Sequence, residues 1–72
     1  MNEKDFMLKI KDILDNEDVT MESVLAELEE WDSLSIITFA AFANTQLGKR
    51  VPPAAIKDCV NIRDLFNMLQ SE

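Results

Sequence analysis

Several residue types that carry catalytic and metal chemistry are absent or rare in this sequence. It has no histidine, no tyrosine and a single cysteine, Cys59. Histidine is the commonest general acid or base, and structural metal sites draw on clusters of cysteine and histidine, so most enzymatic and metal-binding functions are excluded. One cysteine forms no internal disulfide, which fits a reducing compartment. We therefore expect a protein that is not itself an enzyme and that holds no metal ion.

Length and the start of the chain narrow the possibilities further. Seventy-two residues allow one domain, 1–72, which buries only about 60–65% of the surface of its unfolded chain. A deep catalytic cleft is not expected in so small a core. The charged residues Glu3, Lys4 and Asp5 interrupt any apolar run at the N-terminus, so the sequence predicts neither a signal peptide nor a membrane span. A cytoplasmic monomer is the expectation.

Basic residues are outnumbered by acidic ones, seven to fourteen, for a net charge of −7. This balance argues against nucleic acid as a partner, because nucleic-acid binding depends on Lys and Arg that neutralise phosphates. Much of the acid lies in one run without a basic residue: Asp12, Asp15, Glu17, Asp18, Glu22, Glu27, Glu29, Glu30 and Asp32. Such a run is either a solvated face or a surface that recognises basic partners, and the sequence leaves both interpretations open.

The apolar pattern predicts an all-α fold, a small bundle of three main helices plus one short helix. Helical spacing and capping residues predict helices over Glu3 to Leu14, Ser33 to Leu47, Pro53 to Asp58 and Ile62 to Leu69. Gly48 is expected to end the second helix in the left-handed conformation, and Asn61 to cap the last one. Residues 16–31 are predicted to form an ordered loop with a helical turn, anchored in the core by Val19, Leu25 and Leu28.

The second helix has more than one apolar side. At 100° per residue its expected core face is Ile36, Phe39, Ala40, Ala43 and Leu47. Leu34, Ile37 and Ala41 form another apolar strip, and Phe42 falls among Ser35, Thr38, Thr45 and Gln46. We expect that ring to be either covered by neighbouring chain or offered to a partner. Trp31 is predicted to pack over the bundle end, and Cys59 to be a buried, inert thiol.

The most informative stretch is the boundary where the acidic run stops and this helix begins. Asp32 and Ser33 both favour a helix N-terminus, because a short side-chain oxygen accepts hydrogen bonds from backbone N–H groups that lack an intrahelical partner. Ser33 then lies in the first turn, near the positive end of the helix dipole. A phosphate ester there is favoured by about 0.3–1 kcal/mol per charge. The position therefore suits a phosphorylated serine.

Asp32-Ser33-Leu34, set in this layout over essentially the whole chain, resembles the Asp-Ser-Leu signature of acyl and peptidyl carrier proteins. The resemblance implies an acyl-carrier-protein-like bundle with a 4′-phosphopantetheine arm on Ser33, whose thiol carries an acyl or aminoacyl group as a thioester. It places Asp32 beside the metal ion and coenzyme A in the complex with a phosphopantetheinyl transferase. The further partners it implies are an acyl- or aminoacyl-activating enzyme and a downstream synthase or transferase. Trp31, where the family often has glycine, resembles discrete carriers of specialised pathways.

The sequence departs from that family in the helix after Ser33, which usually carries acidic residues that dock onto partner enzymes. Here no charged residue occurs between Ser33 and Leu47. Docking is therefore expected to use apolar contacts, with help from the acids before the serine. The expected contact residues are Ile37, Ala41, Phe42, Glu27, Glu29 and Glu30. The alternative function is an unmodified acidic helical module that binds proteins, in which Ser33 is only a helix-capping residue.

Overall fold

Two long helices, α1 (Glu3–Leu14) and α2 (Ser33–Leu47), form the body of the bundle. They are followed by a short helix, α3 (Pro53–Lys57), and a final helix, α4 (Ile62–Gln70). These elements come from a computed structural model that describes residues 1–70. Within that range the chain has helices and no strands. The predicted all-α bundle of three main helices and one short helix is confirmed.

The ends of α1 and α2 lie at the predicted residues, and their caps explain why. Asn2 accepts a hydrogen bond from the Asp5 amide at 2.8 Å, which satisfies a free donor of the first turn of α1. Asp15 ends that helix in the left-handed conformation at φ 52°. Gly48 does the same for α2 at φ 65°, a conformation that costs glycine no steric strain.

The two C-terminal helices differ from the prediction by one residue each. α3 stops at Lys57 rather than Asp58, and α4 continues to Gln70. The capping box at the start of α4 is confirmed. Asn61 accepts from the Asp64 amide at 2.9 Å, and the Asp64 carboxylate accepts in return from the Asn61 amide at 3.4 Å and also from the Val60 amide at 2.9 Å.

The connection between α1 and α2 is ordered, as predicted, and contains a single 3-10 turn at Leu25–Glu27. Val19 and Leu25 are buried, and Leu28 packs against the core. Backbone hydrogen bonds hold this loop against the start of α4: the Leu25 amide donates to the Val60 carbonyl at 2.9 Å, and the Arg63 amide donates to the Met21 carbonyl at 2.8 Å. The loop is thereby fixed at both the side-chain and the backbone level.

Aromatic rings make up much of the interior. Phe39 of α2 lies at the centre, with ring centroids 6.3 Å from Phe6, 6.2 Å from Trp31 and 6.0 Å from Phe42. Phe6 in turn contacts Phe66 edge-on at 5.2 Å. Such tilted and edge-to-face pairs add to the stabilisation from buried area. The prediction that Trp31 is a packing residue is confirmed.

Cys59 is half-buried rather than buried, because it lies in the turn between α3 and α4. Its thiol contacts the Ala55 carbonyl at 3.6 Å. Partial burial raises the pKa of the Cys59 thiol, and the nearby carboxylates of Asp64 and Asp58 raise it further. A raised pKa keeps the thiol protonated and weakly nucleophilic near neutral pH. In residues 1–70 no helix combines the length and the apolar character needed to cross a bilayer.

Candidate functional site

Asp32 is the N-cap of α2 and sets the geometry of the candidate site. Its extended backbone turns the chain into the helix, and its carboxylate accepts a hydrogen bond from the Ser35 amide at 3.0 Å. The Asp32 carbonyl accepts the first intrahelical bond, from the Ile36 amide at 3.0 Å. The side chain stays exposed. Asp32 therefore caps the helix while its charge remains accessible to a partner.

Ser33 is the first residue of α2 and is exposed to solvent. Its hydroxyl has no hydrogen-bond partner among residues 1–70. The cap described above uses the amides of Ser35 and Ile36, so the amides of Ser33 and Leu34 have no intrahelical acceptor. An oxyanion attached at Ser33 can therefore approach two open N–H groups at the positive end of the helix dipole.

Ser35 behaves in the opposite way, and the sequence analysis did not single it out. It is 8% exposed, and its hydroxyl donates to the carbonyl of Glu30. The bond ties the end of the loop to the first turn of α2. Helical periodicity places Ser35 on the polar side of α2, and its position five residues after Glu30 is the one sequence signal that it can bond the preceding loop. Of these two neighbouring serines, only Ser33 presents a free hydroxyl to solvent.

The three outward apolar residues of α2 lie together on one face. Leu34 is 71% and Ile37 is 61% exposed, and Ala41 is exposed beside them. The structure therefore brings together Ser33 and the apolar strip that the sequence predicted. We call Leu34, Ile37 and Ala41 the outer strip. Large apolar side chains with this exposure are candidates for contact with another molecule.

Phe42 does not belong to this surface. It is only 6% exposed, it packs against Phe39, and the amino group of Lys9 lies 5.5 Å from its ring centroid. Of the two expectations for this ring, covered or offered to a partner, the structure shows the first. The expected partner contact through Phe42 is therefore wrong. A helical wheel of α2 alone shows this side as polar, but α1 packs along it and covers the ring.

The acidic residues before Ser33 divide into two kinds. Glu27 and Glu29 are exposed. Glu30 is half-buried, and its carboxylate accepts from the Asn16 side-chain amide at 2.9 Å. It helps to hold the loop and also borders an open groove of about 760 Å³. Four other carboxylates line that groove: Asp12, Asp15, Glu17 and Asp18.

No group of His, Cys, Asp and Glu side chains within the described residues is arranged to hold a metal ion. The chain matches no protein-family model, no curated protein and no solved structure. The residues around Ser33 offer one free hydroxyl, two amides without an intrahelical acceptor, an exposed carboxylate and an apolar strip.

Proposed function

We propose that the chain is a discrete acyl or aminoacyl carrier protein of the cytoplasm, with a 4′-phosphopantetheine arm attached to Ser33. The observation that carries the proposal is the exposed Ser33 hydroxyl at the start of α2, without a hydrogen-bond partner in residues 1–70. The resemblance of Asp32-Ser33-Leu34 to the carrier signature supports it. The arm supplies the thiol that bears the cargo as a thioester, so the protein needs no catalytic residues of its own.

The residues around Ser33 fit a phosphate ester. Ser33 Oγ attacks the phosphorus on the pantetheine side of coenzyme A, the pyrophosphate bond breaks, and adenosine 3′,5′-bisphosphate leaves. The hydroxyl proton passes to a base or water in the transferase. The amides of Ser33 and Leu34, which have no intrahelical acceptor, would be available to the phosphodiester at the positive end of α2, where anions are stabilised.

The implied partners share one accessible surface. A phosphopantetheinyl transferase, an acyl- or aminoacyl-activating enzyme and a downstream synthase or transferase each need to reach the arm at Ser33. The outer strip of α2 lies on the same helix, and Glu27 and Glu29 are exposed just before it. We infer that partners bury the outer strip and place basic residues near these carboxylates.

Mass spectrometry tests the proposal directly. The protein is incubated with coenzyme A and a broad-specificity phosphopantetheinyl transferase. We expect the wild type to gain the mass of one arm and Ser33→Ala to gain none. Thr45→Ala is the matched control, because Thr45 is another exposed hydroxyl of α2, and it should be modified like the wild type. An unmodified wild type, or an arm on Ser33→Ala, contradicts the proposal.

The Asp32→Asn variant tests whether Asp32 is recognised by the transferase or only caps α2. The Asp32→Asn side chain keeps an oxygen that can accept from the Ser35 amide but loses the charge. We expect the transferase to modify this variant much more slowly, while its melting temperature stays close to that of the wild type. Equal modification rates would leave Asp32 with a capping role only.

A second candidate, an unmodified module that binds basic proteins, is favoured by the acidic groove beside Glu30. Its carboxylates lie on α1 and the loop that follows, with Lys11 among them. Under this alternative Ser33 stays unmodified, and binding weakens steeply with salt because exposed charges are screened. The mass measurement above distinguishes the two functions.

A further inference from the structure

Trp31 closes the end of the bundle at which α2 begins, two residues before Ser33. Its ring packs against the core and meets Phe39 edge-on, with centroids 6.2 Å apart. The side chain is half-buried, so it has one side on the core and one side toward solvent. Trp31 therefore covers part of the core close in sequence to the point where a group would be tethered at Ser33.

The backbone on both sides of Trp31 is fixed. Glu30, the residue before it, is held by the Ser35 hydroxyl at its carbonyl and by the Asn16 amide at its carboxylate. Asp32, the residue after it, caps α2. The Trp31 amide itself donates to the Leu28 carbonyl at 3.1 Å. These hydrogen bonds fix the backbone that carries the ring, so the indole can move only by turning about its own side-chain bonds, against its packing on Phe39.

The space behind Trp31 is filled by further rings. Phe39 and Phe6 are completely buried, and their centroids are 6.3 Å apart. Phe42 flanks Phe39, and Phe66 flanks Phe6. Protein cores are packed to the density of organic crystals, so an alkyl chain enters such a row of rings only by displacing them.

We propose that Trp31 is a specificity-determining residue that keeps the group carried on Ser33 outside the core. This inference rests on the proposed carrier function. The carried group is then a short or polar one, such as an aminoacyl group, because a long alkyl chain held at the surface would stay exposed to water. A polar group has no comparable need for an apolar shelter.

The test compares chain lengths on the same protein. Ser33 of the full chain is loaded by a broad-specificity transferase from acetyl, octanoyl or hexadecanoyl coenzyme A, and mass spectrometry verifies each product. Trp31 is the only tryptophan, so fluorescence emission reports on this ring alone. For the wild type we expect one melting temperature and one emission maximum for all three products.

Substitution of Trp31 should change that result. In Trp31→Ala, the octanoyl form should melt roughly 4–8 °C above the acetyl form, because the chain fills the space that the indole leaves. Trp31→Phe is the matched control and should behave like the wild type. Trp31→Leu replaces the alanine variant if that variant fails to fold.

Two results would overturn the inference. One is a wild-type melting temperature that rises with chain length, with or without a shift in tryptophan emission. The other is the lack of any chain-length effect in the folded Trp31→Ala or Trp31→Leu protein. Both require loaded Ser33 and therefore leave the carrier function standing, whereas failure to load any arm contradicts the carrier function and this inference together.

Discussion

Helices α1 and α2 pack side by side but are built in opposite ways. α1 has buried apolar residues on one side, Phe6, Ile10 and Leu14, and its other positions include six charged residues. They are Glu3, Lys4, Asp5, Lys9, Lys11 and Asp12. α2 has no charged residue at any of its fifteen positions. Its buried side and its outer strip are therefore both apolar, and composition alone does not distinguish them.

The difference shows which surface is available for binding. Contact with α1 from outside requires the partner to desolvate charges, which is costly unless each charge finds a counterion. Contact with the outer strip of α2 removes only apolar surface from water, which is favourable at about 25 cal/mol per Å². The helix that begins with Ser33 is thus the one whose outer face can be covered at little cost.

Replacement of Phe42 tests the assignment of the two sides of α2 most strongly. Because the ring is buried between Phe39 and Lys9, Phe42→Ala should lower the free energy of unfolding by about 3–5 kcal/mol. That loss approaches the whole stability of a small domain. Ile37→Ala, on the exposed side, should change it by less than about 0.5 kcal/mol. Thermal melts of the two variants compare these losses. Equal melting temperatures would contradict the assignment of Phe42 to the buried side and Ile37 to the exposed side.

Replacement of Ile37 should affect binding instead. If a partner buries this 61% exposed side chain, truncation to alanine removes about 1.5–3 kcal/mol of favourable burial. The KM for the apo-protein in the phosphopantetheinyl transfer reaction should then rise by roughly tenfold or more. Thr45→Ala, an exposed residue of the same helix, serves as the control. An unchanged KM for Ile37→Ala would remove the outer strip from the docking surface.

Loss of the hydrogen bond between Ser35 and Glu30 should have a smaller effect on stability than loss of the Phe42 ring. Ser35→Ala leaves the Glu30 carbonyl without its hydroxyl donor in a partly buried position, at a cost of about 1–3 kcal/mol. Thr38→Ala also removes a hydroxyl that donates to a carbonyl, that of Leu34, but it does so at an exposed position. We expect Thr38→Ala to change stability by less than about 0.5 kcal/mol. Urea titrations compare the two, and a larger loss in Thr38→Ala would contradict this account.

The smallest expected effect concerns the ion pairs that Arg63 forms. Arg63 of α4 binds Glu22 at 2.6 Å and lies 3.6 Å from Glu3 of α1. The hydrogen bond from Arg63 lowers the pKa of Glu22 below its usual 4.5. A lowered carboxyl pKa contributes stability above the pKa of the unfolded chain, and the contribution disappears as the pH falls through the folded value.

Glu22→Gln should therefore melt slightly below the wild type at neutral pH, and the difference should shrink as the pH drops below the usual pKa of the carboxyl group. The effect is small because the side chains of Arg63 and Glu22 are 41% and 66% exposed, so water screens the pair. Salt should reduce it further. Melting curves across the acidic range measure it, and a difference that grows toward low pH would have the wrong sign.

Local signals accounted for most of the helix boundaries. Asn2, Gly48 and the Asn61/Asp64 pair act within a few residues of themselves, so their capping roles could be inferred without any tertiary information. The exposure of Leu34 and Ile37 followed from helical periodicity. The burial of Phe42 and Ser35 did not, because it depends on α1 and on the loop before Ser33, which approach from elsewhere in the chain. Glu30 was likewise expected on the surface and instead bonds Asn16.

By itself the sequence determined the helical class, the limits of α1 and α2, and the position of Ser33 at a helix start. Each of these depends on interactions between residues close together in the chain. Only the tertiary structure decided that Phe42 joins the buried side of α2, which of two neighbouring serines keeps a free hydroxyl, and which ring Trp31 packs against. Those outcomes depend on contacts between distant segments, and the sequence of α2 alone carries no signal of where α1 and the preceding loop pack.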